Sequence, residues 1–517
     1  MECVAISVEL IQRCWLWSTL DDMNSSPIIP ELLNWRSLNP LQIRLTKGMM
    51  LVADVGAMLL AALLAAFMAM VFGEHAGRSW LEGQDLQRYA AWFGVAAMGV
   101  LFFLIRFRHY SDRKPFWTEL GELLRVVMVL AVLDLALVAL TRWNSSRLWW
   151  ALVWPTVAVL VPVSRTLARA WMRRMGVWQR PTLIIGHGPN AIEAVAALHS
   201  EPALGFEVLG LIDVNDGVVA TSPATFDLRG QTLPVLPLEL LGMWANTPGV
   251  QFVLALEHGQ NEIRENLLRR LAYWRVEDVS VIPAMRGVPL FGTDISYFFS
   301  HEVAMLKLRN NLRYWPARLL KRVFDLVASL GLLMVGWPLF IYLAWRIRQD
   351  GGSAVFAHRR VGQGGKLFDC YKFRSMRVDA EEQLRDLLGS DPALRVEWEK
   401  EFKLKADPRI SAIGRFLRRT SLDELPQVFN VIKGDMSLVG PRPVVQAELK
   451  RYGHDVDYFL MVRPGMTGLW QVSGRNDVGY DTRVYLDTWY VKNWSLWYDI
   501  AILFKTIKVV FKRDGAY

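Results

Sequence analysis

The run Arg418-Arg419-Thr420-Ser421-Leu422-Asp423-Glu424-Leu425-Pro426-Gln427 sets two adjacent carboxylates after an arginine pair. The apolar helical pattern Val428, Phe429, Val431, Ile432 follows directly. A carboxylate beside fixed positive charge is ionised and can attack an electrophilic phosphorus. Arginine forks and a helix N-terminus are suited to hold the phosphate under attack. A plainer use stands beside this one: Ser421 to Glu424 spells a capping box. If Asp423 is the cap instead, Pro426 falls among first-turn positions whose amides are free anyway. Both alternatives put the acids at a helix N-terminus, where the dipole favours the charged carboxylate.

Three further clusters carry compatible chemistry. Lys372-Phe373-Arg374-Ser375-Met376 places two cations at alternate positions after the strand-like Leu367–Tyr371. Lys433-Gly434-Asp435-Met436-Ser437-Leu438-Val439-Gly440-Pro441-Arg442-Pro443 holds an arginine between two prolines, which fix its backbone and hence its aim. The stretch from Val462 to Arg475 adds Arg463-Pro464-Gly465 and Ser473-Gly474-Arg475. Acids, cations and rigid turns together are the parts needed to grip a diphosphate and a hard metal ion. His358 beside Arg359 and Arg360 reads as a surface or headgroup contact, and Asp407-Pro408-Arg409 as a turn.

The elements that must position these residues fall into several units, since 517 residues exceed one compact domain. With 52% hydrophobic residues, 22 Trp and 24 Phe, the chain is richer in apolar and interfacial groups than a soluble protein needs. A net charge of +9 suits nucleic acid or an anionic membrane surface, and the apolar runs decide for the membrane. Cys3, Cys14 and Cys370 lack metal-ligand spacing, which fits a reducing compartment. The opening residues show no basic n-region and no cleavage site, so no secretory signal is expected.

Residues 1–44 read as a tail. Four apolar runs follow within 45–165: Gly48–Phe72, Tyr89–Phe107, Leu123–Thr141 and Leu148–Val163, each about long enough to span a bilayer. Asp54 and Asp134 lie inside two of them, where an acid is either functional or a packing partner. Lys and Arg crowd before span one, after span two and after span four, which places those ends in the cytoplasm. Residues 178–290 read as a Rossmann-like α/β domain. The strand Thr182–Ile185 runs into the G-x-G-x-x-A loop Gly186–Ala191, then the helix Ala191–His199 and a strand Val208–Ile212 ending at Asp213. Such glycines serve a bound nucleotide or simply a tight turn, and both alternatives stand.

Two short strands over 291–317 lead to the last domain, 318–517. It opens with Lys321-Arg322-Val323-Phe324-Asp325 and the apolar run Leu326–Trp345. Basic residues at both ends and Pro338 in the middle argue for a re-entrant helix, about 320–348, that enters one leaflet and returns. A Pro-kinked full span is the alternative. At the end of the chain, Trp494, Trp497, Ile500, Phe504, Ile507 and Phe511 recur near helical spacing with lysines between them. That pattern is a basic amphipathic helix on the headgroups, or a docked core helix with one solvated face.

The segments K-R-x-F-D, K-F-R-S-M, T-S-L-D-E-L-P-Q, G-D-M-S-L-V-G-P-R-P and R-P-G-M-T-G-L-W-Q-V-S-G-R resemble the bacterial sugar transferases, the monotopic phosphoglycosyl transferases. With four spans and a Rossmann-like domain ahead of them, the chain is similar to the large undecaprenyl-phosphate galactose phosphotransferases of the WbaP type. The resemblance begins near residue 45 and is most specific over 318–517. It implies a multidomain membrane protein with a four-helix transmembrane bundle, a Rossmann-like domain and an α/β catalytic domain with a re-entrant helix. The implied enzyme sits in the bacterial inner membrane with its catalytic domain cytoplasmic, as a homodimer, and starts O-antigen, capsule or exopolysaccharide synthesis.

The implied reaction passes galactose 1-phosphate from UDP-galactose to undecaprenyl phosphate and releases UMP through a phosphosugar-aspartyl intermediate. Asp423 would be the nucleophile, with Glu424 assisting and Mg²⁺ near Asp423. Arg374, Arg418 and Arg442, with Arg475 and Lys372, would contact phosphates. Lys321, Arg322 and Asp325 would anchor the helix bent at Pro338. A glucose-1-phosphate transferase of the same family is the near alternative. A membrane-anchored nucleotide-sugar dehydratase or epimerase is the distant one. That chemistry needs Tyr-x-x-x-Lys after the glycine loop, and here the spacing occurs only at Tyr110 and Lys114, before it. No nucleic-acid partner is expected.

Overall fold

The computed structural model describes residues 40–72, 83–141, 147–214, 225–228, 231–285 apart from 246, 248, 275 and 277, 294–297, 304–307, 315–349, 351–390 apart from 378, 409–474 and 479–512. Most of the expected tail 1–44 lies outside them, as do Arg475, Asp407 and Pro408. The chain divides into two compact units, 1–286 and 287–517.

The first unit opens with helices α1 (Pro40–Phe72), α2 (Gly83–Leu101, continued by a π-turn over Phe102–Arg106), α3 (Phe116–Thr141) and α4 (Arg147–Arg174). Their inward faces bury Ala57, Ala61, Ala65, Trp92, Leu130, Val153 and Val157 in one core. Their outward faces expose Val52, Leu63, Phe67, Val132 and Leu140. Helices apolar both inside and out need lipid around them. Each is long and apolar enough to cross a membrane, and so is a fifth, Trp315–Arg348. The alanines of α1 recur every fourth residue, and their small side chains let α4 pack along it.

Both intramembrane acids pair between helices. Asp134 accepts from Arg88 Nη1 and Nη2 at 2.6 and 2.9 Å and from Trp154 Nε1 at 2.9 Å. Asp54 accepts from Arg165 Nε at 2.8 Å, Arg165 Nη2 at 2.6 Å and the Tyr110 hydroxyl at 2.7 Å. These charges also explain why α4 continues to Arg174, past the apolar run's end at Val163. Beyond Val163 one face buries Arg165, Arg169 and Met172, while Leu167, Trp171 and Met175 stay exposed.

Next come β1 (Arg180–Ile185), α5 (Pro189–Ser200), β2 (Phe206–Ile212), β3 (Thr225–Leu228), β4 (Gln231–Leu236), α6 (Leu241–Ala245), β5 (Gln251–Leu254), α7 (Asn261–Tyr273) and β6 (Val279–Val281). They form a sheet of order β3-β4-β2-β1-β5-β6, parallel except for β3 against β4. Every residue of β1 and β5 is buried, as a strand covered on both faces requires. At the glycine loop, Gly186 takes φ +123, which only glycine adopts freely. Glu257 Oε1 then accepts from the Asn190 N–H at 2.7 Å. This first-turn amide is where a bound pyrophosphate would be received. A carboxylate from beyond β5 already occupies it, and the geometry favours the structural alternative for the loop.

The second unit begins with the antiparallel hairpin of β7 (Asp294–Tyr297) and β8 (Ala304–Lys307). The long helix α8 (Trp315–Arg348) follows and runs through Pro338. Then come the antiparallel pair β9 (Val355–Val361) and β10 (Leu367–Phe373), α9 (Ala380–Ser390), α10 (Ala412–Thr420) and α11 (Gln427–Lys433). The parallel pair β11 (Ser437–Val439) and β12 (Gly465–Thr467) is joined through α12 (Val456–Met461). Short α13 (Leu469–Val472), α14 (Tyr480–Lys492) and α15 (Leu496–Lys512) end the described chain. Cys370, Val431, Val439, Tyr490, Trp494 and Ile502 share its core.

The docked-core alternative holds for the first half of the last helix. The first half of α15 docks, burying Asp499, Ala501 and Ile502, and the second half exposes Phe504, Ile507 and Val510.

Candidate active site

The turn bearing Asp423 and Glu424 is built by a helix that ends early. Ser411 caps α10, its Oγ accepting from Gly414 N at 3.0 Å. The far end closes at Ser421, whose φ of 56° is left-handed and whose N–H returns to Arg418 O at 3.2 Å. The chain then makes a 3-10 turn over Leu422–Glu424 and enters α11 with Pro426 as its cap residue. The capping box therefore does not form: Ser421 finishes one helix, and neither Ser421 nor Asp423 caps the next with its side chain. Leu422 and Leu425 pack with Leu343, Phe373 and Leu417, so this turn is pinned on both sides of the acids.

Asp423 and Glu424 are half-buried. Lys372 Nζ, at the end of β10, donates to Glu424 Oε1 at 2.6 Å. Arg418 Nε donates to Ser375 Oγ at 2.9 Å, which holds its guanidinium on the same side. The close approach of α10 to the Ser375 backbone requires Gly414, because a Cβ there would overlap the Ser375 carbonyl. Burial, with the neighbouring Glu424 charge, pushes the Asp423 carboxyl above its usual range; Lys372 and Arg418 pull it back. The helix dipole alone suggested the reverse shift, but the acid sits before the helix and partly out of water.

The sequence-selected cations separate into two groups. Arg442 is exposed between buried Pro441 and Pro443, its guanidinium 5.6 Å from the Trp470 ring. Lys372 is bonded to Glu424 and Arg418 to Ser375, while the Arg442 guanidinium makes no hydrogen bond or ion pair among the described residues. Arg374 instead gives Nη2 to Ile347 O at 2.9 Å and its backbone N–H to Ala354 O, tying the end of α8 to the strand. Arg475 lies outside the described residues.

Sequence reading missed Arg360. In the β9–β10 register Phe368 faces Arg360 and Lys372 faces Phe356, so Arg360 and Lys372 share one face. Arg360 reaches Glu448 at 3.6 Å. Burial lowers its pKa, and Arg442 and Glu424 act on it at longer range. The period of two along each strand was visible, but the register that aligns the two strands was not. Cys370, on the same face, is buried and pushed up to about 11, which makes it a poor nucleophile.

Lys321, Arg322 and Asp325 point into the protein. Lys321 Nζ meets Asp499 Oδ2 at 2.7 Å and Val439 O at 3.1 Å. Arg322 caps α11 from below, donating to Val431 O at 2.6 Å and Ile432 O at 2.8 Å. Asp325 accepts from Ser437 Oγ at 2.8 Å and Leu438 N at 3.3 Å. They fasten α8 to the elements that carry the acids. At its other end, Phe340 lies 4.9 Å from Phe373 and 5.3 Å from Phe429, ring to ring. From Leu330 to Leu339, between these attachments, no residue of α8 is buried, and Pro338 lies in that apolar stretch.

No group of three His, Cys, Asp or Glu side chains capable of holding a metal occurs among the described residues. A cation that keeps its waters and shares one carboxylate with a diphosphate still fits Asp423.

The bacterial sugar transferase family matches residues 316–513. The undecaprenyl-phosphate galactose phosphotransferase of Salmonella typhimurium is 52% identical over 426 residues, 82% of this chain and 88% of its own. The UDP-galactose-lipid carrier transferase of Erwinia amylovora is 51% identical, over 82% of this chain and 87% of its own. The undecaprenyl-phosphate glucose phosphotransferase of Komagataeibacter xylinus is 33% identical, over 65% and 60%. A Rex-family repressor structure aligns with 23% of this chain and 60% of its own at 15% identity, but a TM-score of 0.17 carries no inference.

Proposed function

The chain belongs to the bacterial sugar transferase family, in its large WbaP-type form, and we propose that it transfers galactose 1-phosphate from UDP-galactose to undecaprenyl phosphate. It is a membrane transferase that passes a sugar phosphate from a UDP-sugar to a lipid-phosphate carrier. Galactose is supported by the two relatives near half identity, both named for galactose, against 33% for the one named for glucose. The product would open a surface polysaccharide pathway, O-antigen or capsule.

The observation that carries the mechanism is the pinned acid pair among Lys372, Arg418, Arg442 and Arg360. Asp423 attacks the sugar-bearing phosphorus, an oxygen–phosphorus bond forms, and UMP leaves with the bridging oxygen. The acceptor's phosphate oxygen then attacks the same phosphorus and frees Asp423. Glu424, neutralised by Lys372, orients the nucleophile and takes up the approach of the lipid phosphate. Arg418 and Arg442 hold the non-reacting phosphate oxygens. Asp423 would be the residue that holds Mg²⁺ in the same proposal, and the ion would supply neutralisation of the phosphate charge that departs with UMP.

The depth of the site follows from α8. Ser329 and Leu343, the buried residues bracketing its bare stretch, would stand about 21 Å apart on a straight helix. Both ends are nevertheless fastened to one compact unit. The bare apolar middle between two attachments to one unit, the basic residues at both ends and Pro338 within it favour a helix that bends there, dips into one leaflet and returns. Four crossing helices with basic ends on one side support a cytoplasmic catalytic unit in the inner membrane. A homodimer is part of the proposal and is read by the mass of the detergent-free particle.

The test omits the acceptor. With radiolabelled UDP-galactose alone, the wild-type enzyme should release one UMP per chain and retain label on the peptide bearing Asp423. Asp423→Asn should do neither. Multiple turnover in Asp423→Asn would remove the covalent route, and a panel of UDP-sugars decides galactose against glucose. A dehydratase reading finds no support in the glycine loop, whose first-turn amide is taken by Glu257.

A further inference from the structure

A second collection of charges lies in the first unit and shares no residue with the Asp423–Glu424 site. At the end where α2 passes to α3 and α4 leaves the apolar region, a pocket partly open to solvent is lined by Lys47, Arg113, Lys114, Arg169 and Arg180. Trp178 and Tyr110 add an aromatic wall, and the only acid in the lining is Asp112, 3.6 Å from Arg108.

The carboxylates behind this lining are already shared. Glu119 accepts from both Arg165 and Arg169, at 2.6 and 2.7 Å. Glu122 serves His109 at 2.8 Å and Lys114 at 2.7 Å. Asp278 holds Arg180 at 2.9 Å. Arg113 has no carboxylate within ion-pair distance among the described residues. Its guanidinium donates to the carbonyls of Leu204, Gly205 and Trp178 at 2.6–2.8 Å and lies 4.4 Å over the Trp178 ring. Burial, Arg180 and Arg169 all push its pKa down, yet a guanidinium stays charged in proteins. Arg169 is 7% exposed, and its Nε has no hydrogen-bond partner among the described residues. Lys47, at the rim, makes no hydrogen bond or ion pair among them. The five lining cations exceed the four carboxylates in or behind the lining, Asp112, Glu119, Glu122 and Asp278, and Lys47 and Arg113 pair with none of them, which leaves a site for an anion.

The pocket lies beside surface that faces lipid. On the outer side of α4, Leu167, Trp171 and Met175 remain 65, 54 and 57% exposed around the level of Arg169. Exposed apolar groups ending in a tryptophan mark the headgroup zone.

We propose that this pocket binds a phosphate oxyanion, with Lys47, Arg113 and Arg169 as its principal cations. The same chemistry is offered by an anionic lipid headgroup at that depth and by phosphate in solution, and the experiment separates them. Arg113 braces three carbonyls, so its replacement risks the fold. Lys47→Gln changes an exposed, unbonded side chain and is the informative variant. The full-length protein in a neutral maltoside detergent is titrated with short-chain phosphatidylglycerol, short-chain phosphatidylcholine, or inorganic phosphate at matched ionic strength, and Tm is followed. For a headgroup site, phosphatidylglycerol raises Tm saturably and phosphatidylcholine does not. Lys47→Gln then raises the half-saturating concentration at least threefold. A saturable rise with inorganic phosphate alone, weakened in the same variant, assigns the site to a free anion. No rise with any additive overturns the proposal, as does a rise unaltered by Lys47→Gln or equal with phosphatidylcholine.

Discussion

Replacing Asp487 with asparagine should make the stability of the catalytic unit less dependent on pH. Asp487 is 2% exposed, and its Oδ2 accepts from the Tyr452 hydroxyl at 2.9 Å. Its Oδ1 has no hydrogen-bond partner among the described residues. Burial raises its pKa from 3.8 to about 7, with Tyr452 and the backbone and charge of Arg442 opposing the shift. A folded state that holds this proton more tightly than the unfolded chain is most favoured below pH 3.8 and loses that advantage up to pH 7. The full difference is roughly 4 kcal/mol at 1.36 kcal/mol per unit. Of this, the part lost between pH 5.5 and pH 7 is about 2 kcal/mol, an upper value because water entry and relaxation around Oδ1 reduce it. For a unit of this size that is about 4–8 °C in Tm. Thermal unfolding of wild type and Asp487→Asn in detergent, at pH 5.5 and 8.5, supplies the double difference in which other titrations cancel. The variant should gain about 4–8 °C on wild type between the two pH values. An equal offset at both would refute a buried carboxylate that ionises at a cost. Because asparagine can still accept from Tyr452, UMP release at pH 8 should stay within about threefold of wild type.

Lys372→Gln removes the cation from Glu424 and one that lowers Asp423, so kcat/KM should fall about 10- to 100-fold and its acid limb should move to higher pH; an unmoved limb separates Lys372 from the nucleophile. Gly414→Ala places a methyl against the Ser375 carbonyl and should cost about 1–3 kcal/mol, read as a lowered Tm together with weaker UDP-galactose binding. Arg360→Gln should raise KM for the donor about tenfold with the Tm nearly unchanged, whereas a loss of Tm alone would mark the residue as structural. Added NAD should leave the wild-type Tm unchanged because Glu257 fills the phosphate position; a saturable rise would show that the carboxylate moves aside.

Much of the architecture was legible because its signals are local. Apolar runs marked α1 to α4 and α8, and alternating strand and helix patterns marked β1, α5 and β2. The acid pair, Lys372, Arg418 and Arg442 were legible because each sits beside a turn or proline that narrows its role. What stayed hidden depends on contacts between distant segments. Ser421 reads as a helix start, but its left-handed backbone ends α10, and only the packing of Leu422 and Leu425 selects that outcome. Arg360 needs the β9–β10 register. Lys321, Arg322 and Asp325 looked like headgroup anchors because they flank an apolar run, whereas their partners lie more than a hundred residues away.

Those inward contacts give the second unit its mechanical logic. Arg322 holds the C-terminal carbonyls of α11, and Phe340 packs on Phe429 nearer that helix's start. The turn bearing Asp423 and Glu424 runs directly into α11, while Arg374 ties the strand bearing Lys372 to the last turns of α8. Both members of the Lys372–Glu424 pair are therefore referenced to one helix whose apolar middle, from Leu330 to Leu339, buries no residue against the described protein. Lipid is the medium in which that middle is stable. On the proposed mechanism, burying it there would set the height of the acids, so that a soluble donor and a lipid phosphate could meet the same oxygen without either leaving its own solvent. Electrostatics then completes what packing begins: burial raises the Asp423 carboxyl and Lys372 and Arg418 lower it, so the contacts that fix the acid's place also set its charge.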